Sequence, residues 1–181
     1  MSGIGKPFGE MLKSYGIYIN GGFEENIFDY PSGGRKTGAE FQGEYTLGAD
    51  LDMNRILGIP GAAIHISTDS RSGENPSRFD GSGITSTANY GPTASYRLGE
   101  LSWDQTLFND HVRILVGRIA DNIDFSGSEL YCRYLFSICG NLFNAWYFND
   151  GNPSYPVATW GGRVTIKPSL TTYCLLYTSP S

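Results

Sequence analysis

The 181-residue chain carries a formal charge of -5 with its 13 Lys and Arg residues scattered, which excludes the basic stripe that neutralises nucleic-acid phosphates. Its 24 glycines, 12 tyrosines and 10 phenylalanines favour β-structure with many turns and aromatic anchors over a helical protein. No run reaches the roughly 18 consecutive apolar residues of a membrane-spanning helix, which excludes helical spans but not barrels, and the length suits a single domain.

The opening MSGIGKPFGEMLKSYG lacks a basic start followed by an apolar run, so residues 1–13 form a short segment ahead of the first strand with no legible export signal. Ser14 to Glu24 alternates Tyr15, Ile17, Ile19 and Phe23 against Tyr18, Asn20 and Glu24, the period of two of a β-strand. Pro31, Gly33 and Gly34 in NIFDYPSGGRK mark a loop. Thr37 to Asp52 is a long second strand. One face holds Phe41, Tyr45, Leu47 and Leu51, and the other holds Glu40, Gln42, Glu44, Asp50 and Asp52.

A short turn over Asn54–Gly61 leads to a third strand, Ala62 to Thr68, and 69–92 is then a polar loop rich in Gly, Ser, Asn and Pro. Ser95 to Thr106 sets Leu101 and Trp103 against Glu100, Ser102 and Asp104. LFNDH connects it tightly to VRILVGRIA, whose greasy face carries Val112, Ile114 and Val116. After a long connection over about 121–155, Thr159 to Pro168 opposes Trp160, Val164 and Ile166 to Arg163, Thr165 and Lys167.

The connections run long, short, long, short, long. An up-and-down antiparallel sheet with every tight turn at one end and every long loop at the other is the pattern of a transmembrane β-barrel with short periplasmic turns and longer external loops. On that reading Phe41, Tyr45, Leu47 and Leu51 meet lipid. Several carboxylates on one strand face are incompatible with a dry core. A soluble antiparallel sandwich, including a sugar-binding β-domain without transport activity, also alternates and is the competing reading.

Three cysteines are an odd count, and spacing leaves both a Cys132–Cys139 disulfide and free thiols open. His65 and His111 stand alone in sequence without metal-ligand spacing, so no metal and no cofactor are expected. Asp50 and Asp52 lie two apart on one face like paired glycosidase carboxylates, but acidic alternation on a wet face explains them more simply than catalysis.

The segments SYGIYINGGFEENIFDYPSGGRKTGAEFQGEYTLGADLDMNRILGIPGAAIHIS, YRLGELSWDQTLFNDHVRILVGRIADNIDF and NPSYPVATWGGRVTIKP resemble the carbohydrate-selective porins of the OprB family. The similarity spans roughly Phe8 to Pro168. Its specific pieces are the Ser32-Gly33-Gly34-Arg35 loop, the Leu57-Gly58-Ile59-Pro60-Gly61 turn and Arg97-Leu98-x-Glu100-Leu101. To these are added Val116-Gly117 with Asp121 and Phe125, and Tyr155-Pro156-x-Ala158-Thr159.

The resemblance implies an all-β outer-membrane barrel that passes neutral sugars passively, not an enzyme. Membrane lipid and lipopolysaccharide would surround it, and it would form homo-oligomers in some members. Porins close with about 16 strands, so six strands with the start of a seventh imply an amino-terminal portion over 14–173. Its tail, 174–181, reads as non-native.

A channel for sugars needs aromatic surfaces for their CH faces and charged groups for their hydroxyls. By facing, the lining candidates are Glu40, Glu44, Glu100, Asp104 and Arg113, with Arg35, Arg97 and Arg118 near strand ends. Alternation from Glu100 puts Arg97 on the opposite face, so only a strand end or bulge turns it inward. The apolar stretch from Glu129 to Gly151 is expected to fold into the barrel and narrow it, with Trp146 and Phe148 either stacking on sugar or anchoring the loop to the wall.

Overall fold

Long period-two runs, bounded by glycine and proline, pair into one sheet in the computed structural model, which describes residues 6–73, 95–120, 157–169 and 171–178. The strands are β1 (Ile17–Tyr30), β2 (Gly38–Asp52), β3 (Ala62–Gly73), β4 (Ser95–Leu107), β5 (Val112–Ile119), β6 (Thr159–Ser169) and β7 (Thr172–Thr178). Their spatial order is their chain order and every neighbouring pair is antiparallel. The connections 31–37, 74–94 and 120–158 leave one end of the sheet; the three tight turns close the other. No helix among the described residues is long and apolar enough to cross a membrane.

Two strands run further than the sequence reading suggests. β1 stays paired with β2 from Ile17 opposite Leu51 to Tyr30 opposite Gly38. Its alternation continues through Asn26, Ile27 and Phe28 until Pro31, which has no N–H for the ladder. β3 extends to Gly73 because Asp69 and Arg71 continue its inner face and Ser70 and Ser72 its outer one. With both faces polar there, hydrophobic contrast vanishes while the ladder persists. The tail also differs from expectation: residues 172–178 form β7 against β6, with Cys174 opposite Ile166 and exposed.

The segment before the sheet contains a helix absent from the sequence reading, α1 (Lys6–Ser14). It is tied to the tight-turn end. Gly16, at φ 83°, accepts Asp52 N–H at 2.8 Å, and Arg55 Nη1 donates to the Lys13 carbonyl at 2.9 Å. Between β2 and β3 lies α2 (Met53–Leu57), capped by Asp52 Oδ1, which accepts from the N–H groups of Asn54 at 3.0 Å and Arg55 at 3.3 Å, and ended by Gly58 at φ 73°.

Burial across this sheet is inverted relative to a soluble protein. The buried side chains include Glu40, Gln42, Asp69, Ser102, Asp104, Arg163 and Thr165, while the exposed ones include Phe23 at 77%, Ile27 at 79%, Leu47 at 62% and Leu176 at 68%. Leaving each such apolar side chain in water forfeits roughly 1.5–3 kcal/mol. A soluble sandwich would put this face inside; here it points outward, as on a lipid-facing barrel wall. Near the long-loop end Phe41, Tyr96 and Trp160 add exposed aromatics to that wall, as at a membrane–water boundary. From mid-strand the Tyr45 hydroxyl reaches toward that end and donates to Glu25 Oε1 at 2.6 Å.

Among the described residues the sheet is open, with β1 and β7 each paired on one side only. An unpaired backbone group in hydrocarbon costs several kcal/mol, which is why spanning sheets close.

Within the wall, Gly117 sits at φ 145°, and a Cβ there would lie 2.2 Å from the Leu101 carbonyl oxygen and 2.7 Å from Ser102 Cα. Both obstacles are backbone of the neighbouring strand. Gly117→Ala is therefore expected to lower unfolding free energy by more than about 1 kcal/mol, read by urea titration in lipid; an unchanged midpoint would contradict this packing.

Candidate channel lining

The inner face is set by register. Tyr18, Asp50, His65 and Ser102 lie in one row across β1–β4, and Ala63, Asp104, Leu115, Arg163 and Tyr177 lie in another across β3–β7. These two rows are laced together in the half of the wall nearer the tight turns. Asn20 Nδ2 donates to Asp50 Oδ2 at 2.8 Å, and His65 Nδ1 lies 2.6 Å from Asp50 Oδ1. On its other side His65 Nε2 is 3.4 Å from Asp104 Oδ2. Arg113 Nε donates to both Asp104 oxygens, at 2.9 and 2.8 Å, and its Nη2 also meets Oδ2. Ser102 Oγ donates to Glu100 Oε1 at 2.6 Å beside this chain. The result is a polar ladder from β1 to β5 in which acidic and basic groups alternate.

A second cluster lies nearer the long loops. Arg71 donates to Glu44 Oε1 from Nε at 3.2 Å and Nη2 at 3.0 Å, and its Nε lies 3.7 Å from Asp69 Oδ1. Asp69, only 1% exposed, pairs across the ladder with Arg97. That pairing depends on a bulge: Ser67 opposes Glu100 but Thr68 opposes Leu98, so Gly99 is an extra residue. Beyond it every β4 side chain changes face, which turns Arg97 inward and Leu98 and Tyr96 outward. Glu40 and Gln42 complete the inner face of β2 above Glu44, both buried.

The structure therefore brings Glu40, Glu44, Arg97, Glu100, Asp104 and Arg113 onto one face. It does not bring Arg118 there. The register sets Arg118 opposite Leu101 and Trp160 on the apolar side, where its Nε donates to the Leu98 carbonyl at 3.1 Å. Arg35 stands exposed in the 31–37 connection. Trp146, Phe148, Cys132 and Cys139 lie outside the described residues.

His65 is not isolated as its sequence surroundings suggest, but is held between two carboxylates from neighbouring strands. The signal for it was the short turn, which pairs the end of β2 with the start of β3. A polar stretch hides Arg71 and Asp69 in the sequence, and alternation sets Arg163 on a polar face without marking a role for it. Asp50 and Asp52 do not act as a pair: Asp50 is engaged by Asn20 and His65, and Asp52 caps α2. Among the described residues no group of three or more His, Cys, Asp or Glu could hold a metal.

This wall is chemically suited to contact neutral polyhydroxylated solutes. Its carboxylates have lone pairs beyond those taken by arginine, and its hydroxyls and guanidinium groups donate.

The family model for the carbohydrate-selective porin, OprB family, matches residues 36–177. The high-pH structure of Pseudomonas putida OprB superposes with a TM-score of 0.85 at 22% identity, covering 98% of this chain and 44% of that one. The low-pH structure of the same protein gives 0.61 at 18% identity, covering 99% and 50%. The chain thus spans half or less of the length of these solved structures. No curated protein matches it.

Proposed function

Since the chain belongs to the carbohydrate-selective porin, OprB family, we propose that it forms part of the wall of an outer-membrane barrel through which neutral sugars diffuse passively. The observation that carries this reading is the inversion of burial, with charged groups on the concealed face and large apolar side chains on the open one. A soluble sugar-binding domain would need another layer over Phe23, Ile27, Leu47 and Trp160. Lipid, and lipopolysaccharide in the outer leaflet, supplies that cover without one.

On this reading the short turns are periplasmic and the long connections external. A sugar entering the barrel exchanges bonds to water for bonds to the lining. Charged partners make those bonds stronger than neutral ones. Because Asp104 and Glu44 are already engaged by Arg113 and Arg71, each offers only its remaining capacity, so no single position is a deep trap. Conduction requires binding favourable enough to enter and weak enough to leave. The chemistry is that of a channel and assigns no catalytic residue.

Arg97 and Glu100 flank the bulge on the inner face and are the residues of the Arg97-Leu98-x-Glu100-Leu101 segment expected to affect sugar passage most directly. Arg97→Ala and Glu100→Ala, each in the closed barrel, are expected to change the initial rate of liposome swelling in glucose several-fold while shifting stability by less than about 1 kcal/mol. Unaltered swelling in both variants would remove them from the selective lining. Absence of swelling in the parent barrel would overturn the channel reading itself.

A further inference from the structure

A cavity of about 690 Å³ opens at the tight-turn end, between the β4–β5 turn and the start of β7. Its lining includes Asn109, Asp110, His111, Lys167, Thr171 and Tyr173. The volume falls within the roughly 300–1,000 Å³ of small-molecule sites. The alternation that puts Arg113 and Thr165 inside also puts His111 and Lys167 inside, joined by the Lys167 N–H to His111 carbonyl bond, and Tyr173 lines the same cavity where the β6–β7 register shifts between Ile166 and Ser169. The cavity therefore continues the lining ladder beyond Arg113 toward the mouth.

Its walls are held in place by a specific set of bonds. Lys167 N–H donates to the His111 carbonyl at 2.8 Å and His111 Nδ1 donates back to the Lys167 carbonyl at 2.7 Å. With its proton on Nδ1, the imidazole keeps Nε2 as an acceptor. Lys167 Nζ reaches Asp110 Oδ2 at 2.8 Å, leaving Asp110 Oδ1 available. That lysine also holds the Asp110 carboxyl below its ordinary pKa, so the acceptor stays ionised. The turn itself runs through three successive non-glycine residues with positive φ, Phe108 at 55°, Asn109 at 53° and Asp110 at 69°. Asn and Asp tolerate that region, but a bulky Phe rarely does, and strained backbone concentrates where side chains are aimed for function.

We infer that this cleft is a sugar-binding exit subsite at the short-turn mouth, in which the ring of Tyr173 covers a CH face of a hexose while Asp110, Lys167 and His111 Nε2 engage its hydroxyls. The assignment rests on the channel reading above for its role, though not for its chemistry. Tyr173 lines the cavity together with His111 and Lys167, and alternation along β7 sets it on the same side as Leu175. The charged pair on the same cavity wall supplies a donor and an acceptor, Lys167 Nζ and Asp110 Oδ2, 2.8 Å apart.

Two measurements separate the subsite from the channel. Glucose titrated against the closed barrel in detergent micelles, with the tyrosine rings labelled for NMR, is expected to shift the Tyr173 resonances saturably, with smaller shifts at His111. Tyr173→Ala should weaken binding about tenfold, as read from the shifts at His111, and Tyr173→Phe should restore it because the stacking face is kept. In planar bilayers, glucose added to the short-turn side of the closed barrel should interrupt ion current with an apparent dissociation constant that Tyr173→Ala raises by the same factor. From the other side the change should be smaller. Glucose that leaves the Tyr173 ring unshifted, or a Tyr173→Ala barrel with unaltered block from the short-turn side, would overturn the subsite. A parent barrel that carries no current while the ring still shifts would overturn the channel reading and leave the sugar site standing.

Discussion

Leu47→Arg is expected to cost about 2–4 kcal/mol of unfolding free energy in lipid, the penalty for a cation near the bilayer midplane on the outer face of a barrel. Leu47 lies mid-strand in β2, 62% exposed, opposite Gly21 and Thr68 on the apolar side of the sheet. Thr46 is its neighbour in sequence but faces inward, opposite Asp69. Thr46→Arg is accordingly expected to change stability by no more than about 1 kcal/mol, since the new guanidinium meets a carboxylate and water. Urea titration of both variants in lipid vesicles gives the comparison. Equal costs at positions 46 and 47 would mean that the two faces are not lipid and lumen.

The second large effect is expected at Asp104. Its carboxylate is 5% exposed and is shared by Arg113 on one side and His65 on the other. Asp104→Ala leaves both without their acceptor, in a position where water reaches only part of the network, and should lower stability by about 1.5–3 kcal/mol. Arg113→Gln removes the donor instead. If the two act as one bonded unit, the double variant should cost less than the sum of the singles by about 0.5–3 kcal/mol. Strict additivity in the double-mutant cycle would show that the ladder is a set of independent solvated charges. The same variants should alter glucose swelling rates, because Asp104 lies on the path between Glu100 and the mouth.

The resemblance to sugar-selective porins and the order of the strands were both accessible without coordinates, because each rests on local information. Alternation in 39–51 separates Phe41, Tyr45 and Leu47 from Glu40, Glu44 and Asp50 residue by residue, and the pattern of long and short connections orders the sheet. Stretches with weak hydrophobic contrast were not accessible. Asp69 to Gly73 reads as loop because both of its faces are polar, yet it continues β3. Residues 174–181 read as a tail beyond the start of a seventh strand, yet Cys174 to Thr178 belong to β7, which pairs with β6. The 6–14 helix went unseen because the segment is short and lies before the first period-two run.

What the sequence by itself determined is which face of each long strand is wet, since a period of two allows no other division, and that the tight turns share one end. Only the tertiary structure decided which inward groups meet. Register across strands depends on turn geometry and on single inserted residues. The α2 turn aligns His65 with Asp50. The extra Gly99 in β4 carries Arg97 to the inner face that alternation denies it. Arg118, one position past Gly117, is left on the apolar side beside Trp160. A one-residue change in pairing moves a side chain from lumen to lipid, and pairing is a property of two strands at once, which no single stretch of the chain encodes.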